Sequence, residues 1–375
     1  MTVTYGDQSF LRQLIRWRGS VWKAIAFQYS IFIALYVAVN VTYRFVLNRE
    51  DQLYFERFVN TFSKWTGIIP ITFLLGFYVS NVVNRWWQQL NQVSWPDKFL
   101  LFLVANMNGN DDETLLIRRT FARYCNLLAT LVWKEISLKI KKRFPTDYHL
   151  VKAGLMSEEE YELYQKTTST HGRWFVPVSW MVNLLAKCKE EGRITDYAAQ
   201  KLVDELYAYR STAAMLTIYD WISIPLVYTQ VVTVATYGYF AFCLIARQSL
   251  IDTPEKAKAG DVDLYFPLFT SLEFIFYIGW LKVGEELRCP FGEGDEDFNM
   301  NYVLDRNIHV AGMLVDELQQ QRPKRHFSFD RPKTYDRGTL LNGRFLKKRF
   351  CVFKPLSYEN NRRQKFGNPR SLQNR

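Results

Sequence analysis

The sequence has few of the residues, and none of the short motifs, on which enzymes commonly depend. Its 375 residues include only four histidines, and these stand far apart in the chain. A Walker phosphate-binding loop, a GxSxG nucleophile motif and an HExxH zinc motif are all absent. The sequence therefore offers no candidate catalytic residue, and we expect that the protein is not an enzyme.

Cysteine is also scarce, and its spacing argues against metal sites and disulfide frameworks. There are five cysteines, none in a CxxC pair: Cys125, Cys188, Cys243, Cys289 and Cys351. Their number is odd and one lies inside an apolar segment. We therefore expect reduced and mostly buried thiols.

Internal repeats, low-complexity tracts and clear strand patterns are missing as well. Apolar residues recur instead at helical spacing, as at Ile117, Phe121, Cys125, Leu128 and Val132. This periodicity predicts an all-α fold. The lack of a repeat among the apolar segments argues against a secondary transporter, because many transporters are built from structural repeats.

Long apolar segments are what the sequence does contain. Four of them approach the ~20 residues that a helix needs to cross a membrane. They run from about residues 24 to 43, 65 to 83, 221 to 246 and 265 to 283. Each also holds polar residues, such as Glu273 in the fourth, which we expect either to have a hydrogen-bond partner or to be protonated. Such residues favour a bundle around an aqueous pathway, although hydrogen bonding between helices explains any single one equally well.

These segments divide the chain into six regions. They are a cytosolic N-terminal segment (1–23), the first two spans (24–83), a cytosolic helical domain (84–220), the last two spans (221–283), an acidic loop with a helix (284–321) and a basic tail (322–375). In the helical domain, Ser157 and Glu160 predict a capping box. An even number of spans places both termini on one side, and basic residues near both termini make that side cytosolic.

The net charge of +11 is concentrated in the tail. Residues 322–375 hold 16 lysines and arginines against three acids, a net +13, which leaves −2 for the other 321 residues. We expect this polar tail to be irregular and to meet an anionic membrane surface or an acidic protein surface. Nucleic acid is not an expected partner, because no recognition motif accompanies the charge.

Several strings, taken in order, make the chain resemble the animal bestrophins, a family of calcium-activated chloride channels. They include WRGS at 17–20, GFYV at 76–79, RWW at 85–87, DWISIPLVYTQVV at 220–232, GWLKV at 279–283 and PFGE at 290–293. The resemblance covers about residues 1–320 and excludes the tail. It implies a homopentamer in the plasma membrane, surrounded by lipid, with a central chloride-conducting pore. It also implies a hydrophobic neck, a cytosolic aperture and a calcium clasp.

The implied neck lies on the second span at Ile69, Phe73 and Phe77. These residues are spaced by four, so they share one helical face, and they match the family's neck in type and spacing. Five copies would stack three apolar rings, which can gate a pore by dewetting. Phenyl ring edges carry partial positive charge and tolerate a passing anion better than a cation. Periodicity alone favours a face that packs on a neighbouring helix or on lipid, and it is the resemblance that favours a neck.

The implied aperture falls in the helix that follows the string Gly192-Arg193-Ile194. Alignment forward from that string places the aperture at Ala198, whereas alignment backward from Asp220 places it at Tyr197. The two differ by a single deletion. We favour Tyr197 and keep Ala198 as the alternative.

The implied calcium clasp lies in an acidic stretch after the fourth span. Its acids are Glu293, Asp295, Glu296 and Asp297. The resemblance implies ligation by the backbone carbonyls of Glu286 and Cys289 and by two aspartate side chains. Asp297 matches one aspartate, but Gly294 stands at the other position. We expect Asp295 to substitute and calcium to bind more weakly, since fewer charged ligands generally lower affinity. Without the resemblance, the stretch would be interpreted as a solvated acidic loop.

The sequence as a whole thus predicts an all-α subunit of a pentameric, calcium-regulated chloride channel with four spans. The alternative is a non-conducting membrane subunit that regulates a different channel.

Overall fold

The computed structural model describes residues 9–68, 70–170, 172–251 and 266–318. Over these ranges helix is the only regular secondary structure, which confirms the predicted all-α class. The chain divides into two units, residues 1–321 and 322–375. The second unit is the basic tail, and the predictions made for it lie outside the described residues.

The helices of the described ranges follow one another along the chain. They are α1 (Phe10–Leu14), α2 (Val21–Val41), α3 (Arg49–Trp65), α4 (Ile71–Asn91), α5 (Asp97–Asn106), α6 (Asp112–Ile136), α7 (Leu138–Arg143), α8 (Tyr148–Lys152), α9 (Glu158–Lys166), α10 (Val176–Glu190), α11 (Asp196–Trp221), α12 (Leu226–Ala246), α13 (Leu268–Glu286) and α14 (Met300–Gly312). Two π-helical turns, Thr42–Val46 and Met313–Glu317, continue α2 and α14.

The four predicted spans correspond to α2, α4, α12 and α13, which pack around one apolar core. At its centre the rings of Phe32, Phe240 and Phe274 meet with centroids 4.7 to 5.8 Å apart. Helices α4 and α13 approach closely at Gly284, where a Cβ atom would lie 2.8 Å from the ring of Tyr78. By length and composition, α2 with its π-helical turn and α12 each suffice to cross a membrane.

Proline defines where three of these helices begin. Helices α4, α12 and α13 start directly after Pro70, Pro225 and Pro267. Proline lacks an N–H group, which costs nothing at a helix start because the first N–H groups have no intrahelical partner. The helix that overlaps the second predicted span, 65–83, is α4, which runs from Ile71 to Asn91.

Residues 44–64, between the first two predicted spans, are mostly helical. Helix α3 is amphipathic and packs against α12. Its buried positions include Gln52, Glu56 and Val59. Glu56 accepts a hydrogen bond of 2.9 Å from the hydroxyl of Tyr43, which is also buried. Gln52 donates to the carbonyl oxygen of Tyr43, so both buried polar side chains of α3 have hydrogen-bond partners.

A second and larger core joins helices α5 to α11 with α14. Helix α6 is its centre, and four of the five residues predicted to share one face are fully buried: Phe121, Cys125, Leu128 and Val132. The predicted capping box is also present, since Ser157 and Glu160 form both of its bonds at the start of α9. At the start of α6, Asp111 accepts from the backbone N–H of Thr114.

The cysteines of the described ranges are all free thiols. Cys125, Cys188 and Cys243 are buried, whereas Cys289 is exposed. This arrangement agrees with the predicted reduced and mostly buried state.

Candidate ion pathway and calcium loop

Helix α4 has one face in the bundle and one bare aromatic face. Leu75 and Val82 are completely buried, whereas Phe73 and Phe77 are 62% and 57% exposed. The two exposed phenyl rings lie 4.6 Å apart, so they form one continuous apolar surface. Ile69, the third predicted neck residue, lies outside the described residues. An apolar strip of this kind indicates a contact with lipid or with other subunits.

The two candidates for the aperture differ sharply in exposure. Tyr197 is 73% exposed in the first turn of α11, whereas Ala198 is 2% exposed and packs inward. The register is set by Thr195, whose side chain caps the helix by accepting from the backbone N–H of Ala198. Of the two positions, only Tyr197 presents a side chain that could narrow a passage.

Arg193 anchors the chain just before this helix. Its guanidinium pairs with the carboxylates of Asp111 at 3.1 Å, Glu191 at 2.7 Å and Glu113. Hydrogen bonds from Thr114 and Arg193 hold the pKa of Asp111 well below its usual range. The start of α11, with Tyr197, is therefore tied to the start of α6. Sequence reasoning missed this role, since Arg193 and Asp111 are 82 residues apart.

The acidic loop turns the side chain of Asp297 inward. This carboxylate is only 8% exposed, and its Oδ2 atom accepts a hydrogen bond of 2.5 Å from the backbone N–H of Gly294. Burial raises its pKa, and the Gly294 hydrogen bond opposes that shift. A Cβ built on Gly292 would lie 2.7 Å from the same Oδ2 atom and 3.7 Å from the carbonyl oxygen of Cys289. The Asp297 carboxylate and the Cys289 carbonyl therefore border the same small space.

Asp295 points away from this space. Its carboxylate pairs with Arg18 at 3.1 Å and with Lys23 at 2.8 Å, and these cations hold its pKa below the usual value, with Lys23 the larger cause. Glu293 pairs with Lys142 on α7. The structure thus separates the two aspartates that the sequence predicted to act together, and it joins the loop to the start of α2 and to α7.

The remaining predicted ligand, Glu286, is at the end of α13. It lines a cavity of about 640 Å³ together with Lys23, Asp295 and Glu296. Cys289 lines a different cavity of about 460 Å³. Among the described residues no group of three or more His, Cys, Asp or Glu side chains is placed to hold a metal ion. A calcium ion takes six to eight oxygen ligands, so the fit of this loop to calcium rests on one carboxylate and on backbone carbonyls.

Glu273, the ionisable residue predicted to need a partner within the fourth span, has one. The hydroxyl of Tyr239 donates to its Oε2 atom at 3.0 Å, and the guanidinium of Arg247 lies 3.9 Å from its Oε1 atom. The hydrogen-bond partner expected for Glu273 is present, and its side chain is half-buried.

Arg85 fastens α4 to the junction between α11 and α12. One of its terminal nitrogens donates to the carbonyl oxygens of Tyr219 at 2.5 Å and Ile222 at 2.6 Å. The guanidinium also lies 5.1 Å from the centroid of the Tyr219 ring. Arg85 belongs to the string RWW at 85–87. The sequence did not reveal its hydrogen-bond partners, because they lie more than 130 residues away.

These features define a class of protein: an all-helical membrane protein whose bundle keeps one bare aromatic face. A family model described as "Bestrophin, RFP-TM, chloride channel" matches residues 1–317. The chain belongs to the bestrophin family, as the sequence strings predicted. This is a family of chloride channels, not enzymes, and that membership confirms the prediction that the chain is not an enzyme.

Relatives in several animals are similar over most of the chain. Bestrophin homolog 14 of Caenorhabditis elegans is 45% identical over 323 residues, which are 86% of this chain and 78% of that protein. Human Bestrophin-3 and human Bestrophin-1 are 44% and 43% identical, again over 86% of this chain. The chain spans about half the length of those two human proteins, 50% and 57% respectively.

Solved structures share the fold. A mutant of a bacterial bestrophin homolog from Klebsiella pneumoniae has a TM-score of 0.57 at 16% identity, covering 80% of this chain and 99% of the other. A crystal structure described only as a membrane protein reaches 0.59 at 16% identity, covering 78% and 99%. At this identity the likeness concerns the fold alone.

Proposed function

We propose that this chain is the pore-forming subunit of a chloride-conducting channel in which five copies surround one axis. The observation that carries the proposal is the division of α4 into two faces. Leu75 and Val82 fasten the helix to its own bundle, while Phe73 and Phe77 stay exposed. Five such helices facing one another would cover the exposed phenyl rings and enclose a narrow apolar passage.

The passage would act as the gate. Ile69, Phe73 and Phe77 would form three stacked rings, and a constriction of that kind closes by losing its water. The phenyl edges would favour an anion over a cation. Tyr197, exposed at the start of α11, would form the second constriction at the cytosolic aperture.

Calcium would regulate this gate through a weakened clasp. Asp297 and the carbonyls of Cys289 and Glu286 are the groups that would hold the ion. Asp295 is engaged by Arg18 and Lys23, so it would contribute little as a ligand. With one inward carboxylate instead of two, calcium affinity would be lower than in a clasp with both aspartates.

The channel would reside in the plasma membrane with four spans and both termini in the cytosol. Lipid would surround the bundle, and the basic tail, residues 322–375, would meet anionic lipid or an acidic protein surface. This assignment rests on charge and on family membership.

One experiment tests the proposal directly. The purified chain, as the sole protein, is reconstituted into liposomes, and chloride efflux is measured with and without calcium. Anion flux from this chain alone supports the channel. Absence of flux from a correctly assembled pentamer would favour the alternative of a subunit that regulates another channel.

A further inference from the structure

The exposed face of α4 continues past the phenyl rings and changes its chemistry. With a turn every 3.6 residues, Ser80, Asn84 and Gln88 extend the stripe that Phe73 and Phe77 begin. All three are exposed. The stripe thus passes directly from apolar rings to uncharged hydrogen-bonding groups.

Fixed charge is missing from this stripe. Between Ile71 and Asn91 the only charged residue is Arg85. One of its terminal nitrogens donates to the carbonyls of Tyr219 and Ile222, and position 85 lies off the exposed stripe. An ion that follows α4 would therefore meet hydroxyl and amide groups, with neither a cation to trap it nor an acid to repel it.

One of these amides is held in a defined orientation. The hydroxyl of Tyr219 donates a hydrogen bond of 3.1 Å to the Oε1 atom of Gln88. Because the carbonyl end of the amide is engaged, its NH₂ group is directed away from Tyr219. The Tyr219 ring is itself held beneath the guanidinium of Arg85. The hydrogen bond from Tyr219 thus leaves the donor end of Gln88 available to a ligand.

We propose that Asn84 and Gln88, with the hydroxyl of Ser80, form an anion-binding site of amide and hydroxyl donors immediately after the neck. The inference rests on the proposed function, since the site forms only if five α4 helices face one axis. Its ligands are small monovalent anions that have shed part of their hydration in the apolar rings. Neutral donors replace the lost water yet bind more weakly than a cation, so the anion can leave again, as conduction requires.

We also expect the site to determine which anions permeate most readily. Strongly hydrated anions such as chloride lose the most hydration free energy on entering the apolar rings. They therefore gain the most stabilisation from hydrogen-bond donors placed just beyond the rings. Removing the donors should therefore penalise chloride more than a weakly hydrated anion such as thiocyanate. Permeability ratios, and not only current size, report on the site.

The test uses the full chain in planar bilayers, with two pairs of substitutions. The first pair, Asn84→Asp and Gln88→Glu, keeps side-chain shape but replaces each NH₂ donor with a carboxylate oxygen. The second pair, Asn84→Leu and Gln88→Met, removes the donors without adding charge. Asn183→Asp is the matched control, because it makes the same change at an exposed position on α10, which packs against α6 and α11.

We expect the carboxylate pair to lower chloride conductance at least about tenfold, because repeated negative charge at short range excludes anions. The apolar pair should raise the thiocyanate-to-chloride permeability ratio several-fold, and the control should change neither quantity. If the carboxylate pair does not assemble, the apolar pair decides the question alone. Normal conductance and permeability ratios in whichever pairs assemble would overturn the site while leaving the channel intact. A wild-type chain that passes no anion would overturn both the site and the proposed function.

Discussion

Replacement of Gly294 by aspartate tests whether the calcium loop has lost a ligand. A Cβ atom built at this position would lie 3.0 Å from the Oδ2 atom of Asp297. The new carboxylate would therefore stand beside the existing one, and the backbone of Gly294 needs no left-handed conformation that would resist a side chain. The substitution creates two adjacent carboxylates in a loop that now has one directed inward.

The size of the effect follows from the distance. Two negative charges about 4 Å apart repel each other by about 4 kcal/mol at an effective dielectric constant of about 20. Solvent around the exposed position 294 reduces this figure. Without calcium the variant should thus be less stable than the wild type, whereas a bound calcium ion converts the repulsion into attraction. A gain of about 1.4 kcal/mol in binding corresponds to tenfold tighter calcium.

We expect Gly294→Asp to lower the calcium concentration for half-maximal activation by about tenfold or more. The same variant should have a lower Tm than wild type in chelator and a larger rise in Tm on adding calcium. Current in patches across a calcium series and thermal unfolding of the detergent-solubilised protein measure the two effects. Gly294→Asn is the control, because it has the same shape without the charge.

Two outcomes would refute this reasoning. If aspartate and asparagine at position 294 shift activation equally, charge at this position does not contribute to calcium binding. If the wild type ignores calcium and a structure determined with calcium shows no ion beside Asp297, the clasp has been lost in this chain.

Three further predictions concern the gate, the membrane bundle and pH. Replacing Ile69, Phe73 and Phe77 together with alanine should leave current that is largely independent of calcium, because wider rings stay wet; retention of wild-type calcium dependence in patch recordings would show that they are not the gate. Glu273→Gln should be nearly silent in pentamer assembly on size-exclusion chromatography, since an amide oxygen still accepts from Tyr239 and a partly exposed ion pair contributes less than about 1 kcal/mol; loss of pentamers would mean that the charge itself is structural. Burial raises the pKa of Asp297 above its usual value. A proton should therefore compete with calcium at a higher pH than it would for an ordinary aspartate, and calcium activation should weaken as pH falls toward that pKa. An unchanged calcium response down to pH 4 would contradict this prediction.

Local chemistry was predictable from the sequence, because the determinants lie within a few residues. The capping box of Ser157 and Glu160 and the buried face of α6 were read directly from spacing and are present. The start of α4 at Ile71 carried a local signal too, since Pro70 fits a helix start better than a helix interior. The apolar run across residues 65–83 concealed that break.

Long-range side-chain pairing was not predictable. Asp295 was expected to replace the missing ligand beside Asp297, but Arg18 and Lys23, more than 270 residues earlier, hold it elsewhere. Nothing in a single sequence indicates that these cations reach the loop. The choice between Tyr197 and Ala198 likewise required the helix register that Thr195 establishes.

The hydrogen bonds from Arg85 to Tyr219 and Ile222 connect α4 to the end of α11. Helix α11 has 26 residues and is therefore about 39 Å long. Arg85 of α4 donates hydrogen bonds to backbone carbonyls at the end of α11, whereas Tyr197 lies in the first turn of α11. A tilt of α4 must either break two short hydrogen bonds or carry the end of α11 with it. If α11 moves as a rigid rod, its first turn moves as well, so in the proposed pore a widening of the neck would also displace the aperture at Tyr197.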